Sequence, residues 1–236
     1  FTFYGFRYVK LEDGSEVVVN SDEEWKITPS PVVFSNIYDG EIDDATIDLT
    51  PETPARLADM DMERLCDRLS VPVRVMHTLR PASILITPKG ETVVDLGQII
   101  TGHLAFRDPS VAGAKYHLMY GEVLQDGCFY NKNLRSAKGE YTYISDGSGA
   151  WVRPHFTFYG FRYVKLEGFE KPDVMDFGGE SLYSDIERVG FFHSSSDKVN
   201  RFAENVLWSQ RDKYLDVPTD CPQRDERMGW TGDAQA

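Results

Sequence analysis

The chain has 236 residues, 41% hydrophobic and 13% aromatic, which is enough apolar material for one large or two modest packed domains and argues against disorder. Lys and Arg number 25 against 38 Asp and Glu, a net charge of -13 with pI near 4.8. Such a surface repels nucleic acid and anionic membranes and is indifferent to a neutral sugar. Three cysteines (Cys66, Cys128 and Cys221) without a CxxC pair form neither a disulfide framework nor a zinc set, and no apolar run reaches the length of about eighteen residues that marks a membrane span.

The string FTFYGFRYVKLE stands at residues 1–12 and again, unchanged, at 156–167, with unrelated flanks. Diverged repeats keep a pattern over a longer period, so the first copy reads as an artefactual duplicate, the other reading being a recent duplication of one strand. The alternation of aromatic and polar residues in either copy suits a strand, with Tyr4, Phe6, Tyr8 and their copies as core residues. The chain opens without Met, so a native N-terminus is expected to lie outside it. Cytosol and a periplasm with free thiols both fit.

Residues 1–50 read as β: Val17 to Val19 follow Asp13-Gly14, and Trp25, Ile27 and Val32-Val33-Phe34 continue the pattern. Residues 51–70 form a linker or short helix with Leu57, Met60, Leu65 and Leu69 as its stripe. Residues 71–168 alternate short apolar runs with turn chemistry, Ser83–Thr87, Thr92–Leu96, Lys115–Tyr120, Tyr141–Ile144 and Phe161–Leu166, which predicts an antiparallel sandwich module. Residues 169–194, with Pro172 and Gly178-Gly179, read as a linker. A helix is predicted from Ser195-Ser196-Asp197 to near Val217-Pro218, capped by Ser196 or Asp197, with Val199, Phe202, Val206 and Leu207 on one buried face.

The remaining stretch, TDCPQRDERMGWTGDAQA, gathers four carboxylates (Asp220, Asp225, Glu226 and Asp233), two guanidiniums (Arg224 and Arg227) and the indole of Trp230. Carboxylates accept hydrogen bonds from sugar hydroxyls, a Trp ring covers the apolar face of a pyranose, and paired carboxyls do acid and base work on a glycosidic bond. Two plainer readings stay open on composition: a solvated loop of local ion pairs, and a metal site of hard oxygen ligands, although the spacing of a calcium loop is absent. His155 and His193 read as structural, Cys221 lacks a His partner, and Gly178-Gly179 is not a phosphate loop. No cofactor is called for.

DVPTDCPQRDERMGWTGDAQA closely resembles the start of the catalytic domain of bacterial α-L-rhamnosidases, glycoside hydrolase family 78. RPHFTFYGFRYVKLEG and YGEVLQDGCFYNKNLRSAKGEYTY resemble the β module that precedes that domain, and DGSEVVVNSDEEWK with YDGEIDDA resembles the tail of an N-terminal sugar-binding-like domain. The likeness covers most of residues 13–236 in the right order; residues 1–12 depart from it.

The resemblance implies mainly β modules, with residues 1–50 as the tail of an N-terminal β-sandwich domain, followed by the first helices of an (α/α)6 barrel, truncated within residues 195–236. It also implies rhamnose-containing glycosides as partners and inversion at the anomeric carbon. Glu226 matches the general acid; Asp220, Arg224 and Asp233 match residues on the rhamnose hydroxyls; and Trp230 matches an aromatic residue of the sugar pocket. The family's general base is a second Glu far downstream, so the isolated chain is expected to be inactive and its C-terminal third loosely packed. Asp220 and Asp225, against Arg224 and Arg227, act in opposite senses on the proton of Glu226. A non-catalytic β-sandwich carbohydrate-binding module is the alternative, and an unrelated structural protein a third reading; neither has a use for a general acid.

Overall fold

The computed structural model describes residues 24–56, 63, 66, 69–227 and 229–232, together with the backbone of 8–10 and 17–20. The protein is mainly β. Six strands come first: β1 (Tyr8–Lys10), β2 (Val17–Asn20), β3 (Lys26–Ile27), β4 (Val32–Asn36), β5 (Gly40–Asp44) and β6 (Thr53–Pro54). Then follow β7 (Val73–Leu79), β8 (Ser83–Ile86), β9 (Thr92–Arg107), β10 (Lys115–Gly121), β11 (Val123–Gln125) and β12 (Cys128–Tyr130). The module ends with β13 (Glu140–Ile144), β14 (Trp151–Val152), β15 (Tyr159–Glu167) and β16 (Phe177–Ser184). A single α-helix among the described residues, α1 (Asp197–Lys213), leads into the tight pair β17 (Tyr214–Leu215) and β18 (Val217–Pro218).

Ten strands join one sheet, ordered β4-β5-β13-β10-β15-β9-β16-β7, with β8 and β14 also paired to β9. The sheet crosses the divisions expected from composition at two places. The β4–β5 hairpin, inside the first fifty residues, adds to the sheet because β5 runs parallel to β13, Gly40 opposite Glu140. At Gly40 an added Cβ would overlap the Glu140 carbonyl oxygen, so only glycine admits this approach. Within 169–194, expected as a linker, β16 lies between β9 and β7 with a buried face. Its two glycines, which read as linker chemistry, instead allow close packing: a Cβ at Gly179 would press on Leu96.

Within 51–70 the described residues include β6, paired with β3; Leu57, Met60 and Leu65 of the expected stripe lie outside the described residues. β9 runs for 16 residues, through the turn expected at Gly97. Its pairing with β15 jumps from Asp95↔Tyr163 to Ile100↔Phe161, so the intervening residues bulge and bend the strand. The bulge is held by Asp95, which accepts the Gly97 amide at 2.7 Å and a two-pronged Arg162 guanidinium at 2.7 and 2.9 Å. Burial pushes the Asp95 carboxyl up, yet the Arg162 and Gly97 bonds hold it below the ordinary value.

Period-two alternation decides what enters the core. Tyr116, Leu118 and Tyr120 of β10 and Val164 and Leu166 of β15 point inward, while His117, Met119 and Lys165 are only half-buried. The core is aromatic: Phe106 meets Tyr116, Tyr141, Tyr143 and Phe169 edge-on, and Tyr120 stacks on Tyr159. In the second copy of the duplicated string, Tyr159 and Phe161 are core residues. In the first copy only the short β1 is described, paired with β2.

The helix starts where expected, with Ser196 at its cap position, but ends at Lys213. Val199, Phe202 and Val206, expected to be buried, are exposed, Phe202 at 68%. The helix meets the sheet through its last turns instead. The Trp208 ring lies 5.3 Å from His77, Arg211 stacks over Trp208 and Tyr183, and Asp212 accepts the Thr101 amide of β9 at 2.9 Å.

Burial against the sheet pushes the Asp212 carboxyl up to about 7, outweighing the Thr101 bond and Arg211. An acid raised in this way from 3.8 binds its proton more tightly in the folded than in the unfolded chain. Its contribution to stability is therefore full below about pH 4 and is lost as pH rises to about 7. Asp212→Asn, whose amide oxygen still accepts from Thr101, is expected to remove that loss. In urea denaturation at a series of pH values, the variant should gain stability relative to the parent as pH rises, and a constant difference would contradict the assignment.

Candidate active site

The acid-rich stretch forms a loop closed at its neck. Asp216 turns the chain between β17 and β18 with φ of 67°, its amide donating to Ser184 Oγ at 2.8 Å. Thr219 bridges to Gly229, its amide donates to the Lys213 carbonyl at 2.7 Å, and the Trp230 amide donates to Pro218 at 2.9 Å. Sequence-distant ends thus meet, and residues 220–227 bulge between them against β15 (the glycine at 160 is what lets them in). A Cβ on Gly160 would sit 2.9 Å from Gln223 Cβ and 3.0 Å from its amide nitrogen.

Four further points fix the loop. Arg227 is buried, with φ of 40°. Its guanidinium donates to the Ile37 carbonyl at the β4–β5 turn and lies over the rings of Phe158 and Tyr38, at 4.7 and 5.6 Å. Burial lowers its pKa to about 10, so it stays charged at neutral pH. Its Nε and Nη2 are buried without a hydrogen-bond partner. The Tyr38 hydroxyl donates to the Glu226 carbonyl at 3.5 Å. The Ser136 hydroxyl and its amide, the latter at 3.3 Å, both donate to Asp225 Oδ2. Arg135 reaches Asp225 Oδ1 at 3.1 Å and Glu226 Oε2 at 3.4 Å.

Of the residues singled out in the sequence, the structure brings Asp220, Arg224 and Glu226 together. Arg224 Nη2 lies 2.7 Å from Glu226 Oε2, the oxygen that Arg135 also approaches. Among the described residues no partner engages Glu226 Oε1. Ligand atoms of Asp220, Cys221 and Glu226 lie within 4.8 Å of one another. The Cys221 thiol donates to Asp220 at 3.4 Å, and burial together with Asp220 pushes it up, which keeps it protonated and a poor metal ligand or nucleophile. The Trp230 indole is 55% exposed beside the loop neck. Asp233 lies outside the described residues.

Several groups had no signal in a single sequence. Arg135, Ser136 and Glu122 come from the β module, about ninety positions upstream, through the loop between β12 and β13 and the end of β10. Glu122, pushed up by burial, accepts from Asn133 at 2.7 Å and faces Arg224 and Gln223. Arg135 has φ of 62° and ψ of -116°, a region that non-glycine residues avoid. That backbone costs about 1–3 kcal/mol, whereas an exposed ion pair contributes about 0.2–1 kcal/mol.

A second cluster lies behind the site. Glu41 accepts the His155 and Phe156 amides at 2.7 and 2.9 Å, and its ligand atoms, with those of Asp43 and His155, lie within 4.8 Å. Burial pushes Asp43 up, and Glu41 draws the His155 pKa up. This cluster orders residues 155–158 and so sets Phe158 under Arg227.

Three family models match the chain in succession. An α-L-rhamnosidase N-terminal domain matches residues 3–77, a bacterial α-L-rhamnosidase concanavalin-like domain residues 86–183, and a bacterial α-L-rhamnosidase six-hairpin glycosidase domain residues 187–236. An α-L-rhamnosidase of Formosa agariphila is 36% identical over 96% of the chain, which covers 26% of that protein. A crystal structure of the Aspergillus terreus α-L-rhamnosidase superposes with a TM-score of 0.83 at 34% identity, over 94% of this chain and 27% of that one. The Streptomyces avermitilis enzyme, solved in complex with L-rhamnose, gives a TM-score of 0.83 at 34% identity, over 96% and 23%. The chain belongs to the bacterial α-L-rhamnosidase family. It spans about a quarter of the length of the curated relatives it matches.

Ser136 is the first cause holding the Asp225 carboxyl below its ordinary value, with Arg135 adding to it against desolvation. Ser136→Ala is therefore expected to raise the Asp225 titration midpoint, read from its side-chain carboxyl carbon by NMR. An unmoved midpoint would show that Ser136 does not hold this carboxyl.

Proposed function

We propose that the complete protein carrying these residues hydrolyses terminal α-L-rhamnosides with inversion, and that Glu226 is its general acid. The observation that carries this reading is the Glu226 carboxyl: one oxygen, Oε2, is shared by two guanidiniums, and the other, Oε1, has no partner among the described residues. Oε1 is then the atom that holds and delivers the proton. As its O–H bond breaks, a new O–H bond forms to the glycosidic oxygen and the bond from that oxygen to the anomeric carbon breaks. Water adds to that carbon from the opposite face and gives its proton to a base. The charge left on Glu226 is stabilised by Arg135 and Arg224, whose guanidiniums are already in place.

Asp220 and Arg224 bind the rhamnose hydroxyls, Asp233 does so with them, and Trp230 covers the apolar face of the ring. Inversion requires carboxyl groups about 6.5–9.5 Å apart, with room for water. Asp220, within 4.8 Å of Glu226, is too near for that role, and Asp225 is its chain neighbour. Neither is placed to be the base; the family resemblance implies a second Glu of the catalytic domain for that role, and the 236 residues alone are expected to be inactive. No cofactor enters the reaction.

The test is hydrolysis of aryl α-L-rhamnosides by the complete protein and its Glu226→Gln variant, with the first-formed anomer read by proton NMR. The variant is expected to lose about 100-fold or more on a phenyl rhamnoside and far less on a dinitrophenyl one, whose leaving group needs little protonation. Equal loss on both would refute the acid role. A retained anomer would instead make Asp220 the nucleophile.

A further inference from the structure

We infer that Arg135, supplied by the β module rather than by the helical segment, is a positioning residue for the acid, fixing the carboxyls of Asp225 and Glu226 with one guanidinium. This rests on the reading of Glu226 as the acid. Three observations meet at this residue. Its Nη1 donates to Glu226 Oε2 at 3.4 Å, and its Nε lies 3.1 Å from Asp225 Oδ1 as an ion pair without hydrogen-bond alignment, so one guanidinium lies against two adjacent carboxyls. Its backbone is held at φ 62° and ψ -116°, an arrangement the loop maintains at the very residue that reaches the site. The next residue, Ser136, binds the far oxygen of Asp225, so the same loop clasps that carboxyl from both sides.

The consequence is chemical. Arg224 lies two residues from Glu226 on the same loop and is carried with it, whereas Arg135 belongs to the loop between β12 and β13 of the β module. Of the two, Arg135 alone fixes the acid relative to the β module. With Arg135 and Arg224 on Oε2, the carboxyl cannot turn without breaking both contacts, and Oε1 keeps one direction. The Arg135 side chain is 58% exposed, so its remaining N–H groups stay open to solvent.

The experiment compares Arg135→Ala and Arg135→Lys with the parent in the complete protein, on phenyl and dinitrophenyl α-L-rhamnosides. Arg135→Ala is expected to lower kcat on the phenyl substrate by about 10- to 100-fold, with KM within about threefold and less than about threefold loss on the dinitrophenyl one. Added guanidinium ion is expected to restore part of the lost rate. Arg135→Lys, a point charge that cannot span both carboxyls, should recover only part of it. Rates within about twofold of the parent on both substrates, or a loss that is equal on both or falls on KM, would overturn the proposal. A crystal structure of the Arg135→Ala protein tests positioning without any substrate. Displacement of the Glu226 carboxyl by about 1 Å or more supports positioning, and an unmoved carboxyl overturns it. If the parent itself leaves rhamnosides intact, the acid reading fails while the crystallographic comparison still judges Arg135.

Discussion

The approach of one loop to one strand governs the site. Residues 220–227 can lie on β15 only because position 160 has no side chain, and from there Gln223 packs against the backbone of β15. Once the loop is seated, Arg227, Asp225 and Glu226 each have a fixed counterpart on the β module: Arg227 on Ile37, Asp225 on Ser136 and Arg135, and Glu226 on Arg135. In its proposed role as the acid, Glu226 is held both by Arg224 on its own loop and by a surface assembled from the β4–β5 turn, the β12–β13 loop and the 155–158 segment. A catalytic group held by packed, sheet-anchored partners is pre-oriented, which is what proton transfer in the transition state requires.

Electrostatics in this region follows burial. Buried Asp43 has its pKa raised, and Glu41 escapes the same fate because two backbone amides and His155 bind it. Arg227 remains charged although its Nε and Nη2 lack partners, because the Phe158 and Tyr38 rings and the Ile37 carbonyl take the place of water. On the outer side, Glu226 and Arg135 keep contact with solvent, where a sugar and its leaving group can enter. The apolar residues left open on α1 and just before it, Phe202 and Phe191 among them, form a face that this part of the chain does not cover.

Much of the fold was legible because its signals are local. Alternating aromatic and polar residues marked β10, β13 and β15, and Ser196 marked the start of α1. What local pattern could not carry was partnership. Gly178-Gly179 reads as a linker until Leu96 is seen against it, and Gly97 reads as a turn until Asp95 and Arg162 are seen to hold a bulge. The site divided in the same way. Asp220, Arg224 and Glu226 fall in one short stretch and are legible together. Arg135, Ser136 and Gly160 are ordinary residues whose roles arise only when the loop folds back over about ninety and sixty positions of chain. No periodicity records such a contact. The duplicated string makes the same point, since one sequence provides core strand β15 in its second copy and short β1 in its first.

The most direct measurement is a crystal structure of the complete protein with L-rhamnose. The sugar is expected against loop 219–229, its anomeric oxygen about 2.6–3.2 Å from Glu226 Oε1, with Arg135 still bridging Asp225 and Oε2. Rhamnose seated elsewhere, or Glu226 turned away from the anomeric oxygen with its two guanidinium partners released, would contradict the role given to Glu226.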